Sequence, residues 1–197
     1  MMPTHSYVAN ILLCERYRGI GGAIAECGTW KGGMIAGIAR SLGALRNYYL
    51  FDSFEGLPPA EEIDGLAAGA WQSDKQGMSY FDNCTANESD AWAAMRKAGV
   101  ASPNVIKGWF EETLPKAVFP EGIAILRLDA DWYASTMTIL ENLFPKVNIG
   151  GLIIVDDYYM WDGCSKAIHA YLSSHSRAER ICSYQNVCYL EKRPVSV

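Results

Sequence analysis

Twice in this chain a short apolar run ends abruptly in paired carboxylates. Ile123-Ala-Ile-Leu-Arg-Leu leads into Asp129-Ala-Asp131, and Gly151-Leu-Ile-Ile-Val leads into Asp156-Asp157. Strands buried on both faces of a parallel sheet read as continuous apolar runs rather than alternating ones. Ligands of open α/β sheets gather beyond the carboxyl ends of such strands. Packing gives no reason to collect acids there, because carboxylates at one edge repel each other unless a cation sits among them. The pattern points to an α/β fold with a divalent-metal site at one edge of its sheet.

The rest of the chain repeats the theme. Residues 1–20 carry Tyr7, Val8, Ile11, Leu12 and Tyr17 at helical spacing, which predicts a short N-terminal helix. Gly21 to Cys27 reads as a first strand, breaking at Gly28-Thr-Trp-Lys-Gly32-Gly33 into a helix through about Leu45. Asn47 to Asp52 is a second strand, again ending in acid. Residues 53–89 have little periodicity and much Gly, Pro, Asp and Asn. A loop of that length in a compact domain usually serves function, so it reads as a lid.

A helix is expected from Asp90, acting as N-cap, to about Ala98. A short strand, Val105 to Lys107, runs into Gly108-Trp109-Phe110, and a connection over 111–120 leads to the strand at Ile123. A helix covers Ser135 to Phe144, stopped by Pro145, and another covers Cys164 to Ser174. Glu179–Ser183 and Val187–Glu191, joined at Tyr184-Gln185-Asn186, read as an antiparallel hairpin. Five strands alternating with helices, then a hairpin, imply a mostly parallel seven-stranded sheet covered on both faces. The 197 residues are expected to form a single domain.

Composition narrows the partners. A formal net charge of -5 argues against nucleic acid, whose phosphates require a basic face. No apolar run approaches the ~20 residues that span a bilayer, so no membrane partner is expected. Met1-Met-Pro-Thr-His5 lacks the basic-then-apolar plan of a signal peptide. The six cysteines are scattered without a C-x-x-C pair or adjacent histidines, which disfavours zinc. Cys182 and Cys188 could face each other in the hairpin, but buried reduced thiols are the plainer reading. The expected compartment is the cytoplasm, and a homo-oligomer is left open.

Two candidate sites follow. In the first, the glycines of Glu26-Cys27-Gly28-Thr-Trp-Lys-Gly32 let backbone approach a ligand. Asp52 follows Gly28 at about the 20-residue spacing of the acid that grips ribose hydroxyls in nucleotide-binding α/β folds. The G-x-G-x-x-G fingerprint of NAD sites is absent, and Glu26 suits an amine-bearing ligand better than a pyrophosphate. The alternative is a glycine-bearing turn with no ligand. In the second site, Asp129, Asp156 and Asp157 could give Mg²⁺ three hard oxygens, with Asp131 free to act as base. The alternative is that Asp156 and Asp157 merely cap the next turn. Gly108, Trp109 and Phe110 could border a purine or pack in the core. Trp132 and Tyr133 could wall a pocket or pack. His5, His169 and His175 have no partner in sequence and read as non-catalytic.

Ala25-Glu-Cys-Gly-Thr-Trp-Lys-Gly-Gly33, Phe51-Asp-Ser-Phe-Glu-Gly-Leu-Pro58, Lys107-Gly-Trp-Phe-Glu-Glu-Thr-Leu-Pro115, Leu128-Asp-Ala-Asp-Trp-Tyr-Ala-Ser-Thr136 and Val155-Asp-Asp-Tyr158 occur in that order. Together they resemble the macrocin O-methyltransferase (TylF-type) family, whose members methylate sugar hydroxyls. The resemblance implies a class I S-adenosylmethionine (SAM) methyltransferase fold, a Rossmann-like three-layer sandwich, with a Mg²⁺ site. It implies that Glu26, Cys27, Gly28 and Gly32 border SAM's methionine end. Asp52 and Ser53 would then meet its ribose, and Gly108, Trp109 and Phe110 its adenine. Asp129 would lie between cofactor and metal, with Asp156 and Asp157 on the metal and Asp131, or Asp129 itself, as base. The acceptor would be a small molecule bearing a sugar hydroxyl or vicinal diol. Two departures stand out: fewer residues precede the first strand than is usual in the family, and Met34-Ile35 stand where small hydroxyl residues are common. The competing readings are a DxD-type nucleotide-sugar glycosyltransferase, an aspartate-nucleophile phosphatase, an NAD-dependent oxidoreductase and a SAM-binding module without turnover.

Overall fold

A computed structural model describes residues 2–194. It is built on a seven-stranded sheet of order β3-β2-β1-β4-β5-β7-β6. The strands are β1 (Ala23–Cys27), β2 (Tyr48–Asp52), β3 (Asn104–Lys107), β4 (Ile123–Leu128), β5 (Val147–Val155), β6 (Cys182–Tyr184) and β7 (Val187–Glu191). The first five pair in parallel, while β7 runs antiparallel to both β5 and β6. The order reverses between β1 and β4, and a crevice for ligand forms at such a switch point.

The helices are α1 (Thr4–Arg16), α2 (Gly33–Leu42), α3 (Leu66–Ser73), α4 (Glu88–Lys97), α5 (Phe110–Thr113), α6 (Tyr133–Leu143) and α7 (Asp162–Ser174). One sheet face packs Ile24, Leu50 and Ile154 against Leu13 of α1, Ile35 and Ile38 of α2, and Met95 of α4. The opposite face packs Ala25, Phe51 and Ile153 against Ile139 and Leu140 of α6 and Ile168 of α7. The result is three layers, as the apolar strand runs imply. Among the described residues no helix is long and apolar enough to cross a membrane.

Several boundaries differ from the sequence reading. The 53–89 segment is not structureless: it contains α3 and two 3₁₀ turns, Glu62–Asp64 and Phe81–Cys84. Its order comes from contacts distant in sequence. Trp71 of α3 stacks edge-on against Trp132 and Trp161, with ring centroids 6.2 and 6.0 Å away. Gln72 accepts from Ala60 N at 2.7 Å and donates to Pro58 O at 2.9 Å. Asp90 is not the N-cap of α4, because the helix opens at Glu88 and Asn87 takes the cap position. The strand that leads into Asp156-Asp157 begins at Val147 rather than Gly151 and ends at Val155, and both acids lie in the 3₁₀ turn Asp156–Tyr159.

The terminal hairpin turns through Gln185 and Asn186, both at positive φ as a two-residue type I′ turn requires. Cys182 pairs with Tyr189 and Cys188 with Ser183, so the two cysteines are not opposite each other. All six cysteines are free thiols.

Candidate active site

The parallel register of β1 on β4 sets Glu26 beside Arg127, and this pairing organises the site. Both side chains are 1% exposed inside otherwise apolar strands. A charge withdrawn from water needs a partner. Arg127 Nη1 donates to Glu26 Oε1 at 3.0 Å and to Asp129 Oδ2 at 2.7 Å. Its Nη2 lies 2.6 Å from Asp156 Oδ1, an ion pair lacking a hydrogen bond's alignment. Nε approaches Asn10 Oδ1 at 3.4 Å, so buried Asn10 brings α1 over the pair. Among the described residues Glu26 Oε2 has no partner. Burial pushes Glu26 up to about 8, with Arg127 pulling it down and Asp129 and Asp156 pushing it further up.

Gly28 joins the two strand ends. Its φ is +85°, and a Cβ there would sit 1.6 Å from Asp129 O. Gly28 N donates to Phe51 O and Asp129 N to Cys27 O, so the ends of β2, β1 and β4 are drawn into one line. Asp52, at the end of β2, accepts from Trp30 N at 2.6 Å and from Phe54 N at 2.7 Å. Trp30 and Phe54 both take positive φ to present these amides, and held strain of that kind clusters at functional sites. Burial raises the Asp52 carboxyl despite these donors. Thr29 Oγ1, in the same turn, is buried without a partner among the described residues.

Beyond β4 and β5 the remaining acids converge. One carboxylate oxygen from each of Asp129, Asp156 and Asp157 lies within 4.8 Å of the others. Asp129 and Asp156 keep 34% and 23% of their side chains exposed, leaving the cluster open to solvent on one side. Asp131, at φ +55°, is the strained member. Its amide donates to Asp157 Oδ2 at 3.1 Å, and its Oδ1 accepts from Trp161 Nε1 at 2.7 Å. Burial, then the charge of Asp129, raises Asp131 to about 7. Burial raises Asp156 to about 6 against the pull of Arg127. Asp157 is pushed up by burial and then by Asp131, Asp129 and Asp156. Acids that raise one another in this way are short of positive charge.

The profile of the macrocin-O-methyltransferase (TylF) family matches residues 8–192. The chain belongs to this family. Demethyldecarbamoylnovobiocin O-methyltransferase of Streptomyces niveus is 34% identical to this TylF-family chain over 167 residues, 81% of this chain and 62% of that protein. Mycinamicin III 3''-O-methyltransferase of Micromonospora griseorubida is 28% identical over 172 residues, 83% of this chain and 65% of that protein. The chain thus spans under two-thirds of the length of these curated relatives. The solved O-methyltransferase NovP superposes with a TM-score of 0.74 at 28% identity, covering 92% of this chain and 79% of that one. A Bacillus cereus O-methyltransferase in complex with SAH shares the fold at 14% identity and a TM-score of 0.58, covering 98% of this chain and 82% of that one. The fold is that of class I SAM O-methyltransferases.

Within this TylF-family fold the expected site residues separate into those at the C-terminal sheet edge and those turned elsewhere. Glu26, Gly28, Asp52, Asp129, Asp131, Asp156 and Asp157 all gather at the C-terminal sheet edge. The Cys27 side chain instead points into the α6–α7 core, and only its carbonyl serves the site. Gly32, at φ +75°, has its open side against Ala91 Cα, where it lets α4 pack. Ser53 spends its hydroxyl in its own turn, accepting from Glu55 N and donating to Gly56 O. Gly108 begins the turn after β3, with Trp109 and Phe110 half-buried behind it. Phe110 packs toward the α6 core. A cavity of about 430 Å³ lined by Tyr49, Phe51, Ile106, Lys107 and Thr113 borders that turn rather than the carboxylates.

Sequence reasoning gave no role to Arg127, Asp64 or Trp161. The signal for Arg127 was present: one basic residue inside an unbroken apolar strand needs a buried acid, and Glu26 is the acid inside another. Asp64 had no such signal. It sits 3% exposed, accepting from Glu61 N and from Tyr133 N at the start of α6. Gly163 leaves the room, since a Cβ there would lie 2.0 Å from Asp64 Oδ1.

Proposed function

We propose that this chain is a SAM-dependent, Mg²⁺-assisted O-methyltransferase acting on a hydroxyl of a sugar or another vicinal-diol small molecule. The observation that carries the reading is the buried Glu26 Oε2, unpartnered among the described residues, beside an acid cluster in which Arg127 alone faces Asp129 and Asp156 with positive charge. An ammonium-bearing ligand would satisfy the first and a hard divalent cation the second, so the residues present fit both groups. Family membership and the O-methyltransferase names of the relatives support the same class.

In this reading Glu26 accepts the amino group of the cofactor and Asp52 its ribose hydroxyls, while the turn after Gly108 borders the base. SAM supplies an electrophilic methyl group. Asp129, Asp156 and Asp157 would hold the metal, which when bound would lower the pKa of an acceptor hydroxyl. Asp131 takes the hydroxyl proton, its carboxylate aimed by Trp161 and by its own amide on Asp157. Trp161, half-buried next to Asp131, walls the acceptor, backed by Trp132, which is packed inside with its ring centroid 5.3 Å away and its indole nitrogen donating to Pro58 O. The 53–89 segment closes over this wall as a lid. Most of the rate comes from holding donor and acceptor in line.

Calorimetric titration with SAM, a UDP-sugar and NADH tests the assignment. Only SAM is expected to bind; binding of the UDP-sugar instead would support a glycosyltransferase. A SAM-binding module without turnover would bind SAM yet methylate no glycoside.

A further inference from the structure

We propose that Arg127 is a positioning residue shared by the cofactor and metal half-sites, and that through it the two ligands change each other's affinity. The inference rests on the reading above and goes beyond it, because Arg127 touches neither ligand there. One guanidinium reaches Glu26 and Asp129 through Nη1 and Asp156 through Nη2, while Nε faces Asn10. Each carboxylate has one oxygen engaged: Oε1 of Glu26, Oδ2 of Asp129 and Oδ1 of Asp156. The other oxygen is left for a ligand, and Glu26 Oε2 is buried and unsatisfied in that role.

Arg127 therefore sets which oxygen each acid presents. A lysine could not, since its ammonium is a compact point charge without the planar fork. Arg127 and Glu26 are both 1% exposed, so solvent does not screen that contact, while Asp129 and Asp156 are screened on their open side only. A change at Glu26 alters how strongly Arg127 holds Asp129 and Asp156. By linkage, each ligand must then alter the other's affinity by the same factor.

The test is calorimetric titration of S-adenosylhomocysteine and of Mn²⁺ into the wild type, Glu26→Gln and Arg127→Lys. Glu26→Gln leaves the three aspartates untouched, yet it frees Arg127 to compete for Asp129 and Asp156. Its Mn²⁺ affinity is expected to fall by about five-fold, the lower end of typical coupling, alongside its loss of nucleoside affinity. Arg127→Lys is expected to keep its circular dichroism spectrum and to weaken both ligands by about ten-fold. Should that variant fail to fold, the Mn²⁺ affinity of Glu26→Gln decides. Unchanged Mn²⁺ binding in Glu26→Gln, or unchanged binding of both ligands in Arg127→Lys, overturns the proposal while leaving the proposed function intact. A wild type that binds neither ligand overturns both.

Discussion

The indole nitrogen of Trp161 donates to Asp131 Oδ1 at 2.7 Å, joining the turn after β5 to the acid that follows β4. One oxygen of Asp131 is thereby engaged. Trp161→Phe keeps a ring in the tryptophan cluster and removes the donor. Hydrogen bonds to charged groups contribute about 1.5–3 kcal/mol, so kcat is expected to fall by roughly ten- to a hundred-fold. Nucleoside binding, measured by calorimetry, should be unchanged. A KM effect with kcat intact would mean that Trp161 serves acceptor binding instead.

Gly28→Ala is expected to be the most disruptive small substitution in the sheet. The added methyl would meet Asp129 O at 1.6 Å, and the backbone is at φ +85°. Core overpacking combined with backbone strain costs on the order of 3 kcal/mol or more. Thermal unfolding should show a large drop in midpoint, or the protein should fail to accumulate in folded form.

Asp64→Ala removes the acceptor shared by Glu61 N and Tyr133 N. The two amides would be left unsatisfied, at about 1–3 kcal/mol each where burial is complete. The expected outcome is faster proteolytic cleavage within residues 56–85, with global unfolding much less affected. Equal protection in wild type and variant would show that Trp71 and Gln72 hold the segment without Asp64.

The fold was legible because the strand runs are long, apolar and closed by acids. The candidate site was legible to the extent that its acids stand at strand ends, where topology alone brings Asp52, Asp129 and Asp156 to one edge. Three features were not. That Arg127 needs a buried acid can be read from its apolar neighbours, but the register that sets it against Glu26 is a property of strand pairing. Helix α3 was missed because its local pattern is weak and Trp71 draws its order from Trp132 and Trp161, far along the chain. Cys27 and Ser53 stood inside the right motifs, but a two-residue period turns the Cys27 side chain to the other sheet face, and the Ser53 hydroxyl is consumed by its own turn.

Alkaline stability should be limited by thiols. Burial holds Cys14 and Cys188 up to about 12, whereas unfolded thiols ionise near 9.0. Above pH 9 the unfolded chain releases protons that the folded chain retains, so stability falls as pH rises. Each thiol contributes about 1 kcal/mol of loss between pH 9 and 10. Lys192 acts in the opposite sense: burial depresses it to about 8, so its folded form sheds its proton first and stability rises from pH 8 toward 10.5. Denaturant unfolding across this range should show a net decline, shallower in Cys188→Ala.

The most direct test of the account is transfer of labelled methyl from SAM to glycosides bearing vicinal hydroxyls, in Mg²⁺ and in excess EDTA, with wild type and Asp129→Asn. Transfer is expected from the wild type in Mg²⁺ alone, and none in EDTA or from the variant, while SAM binding to the variant largely persists. Undiminished transfer in EDTA, or by Asp129→Asn, would contradict it.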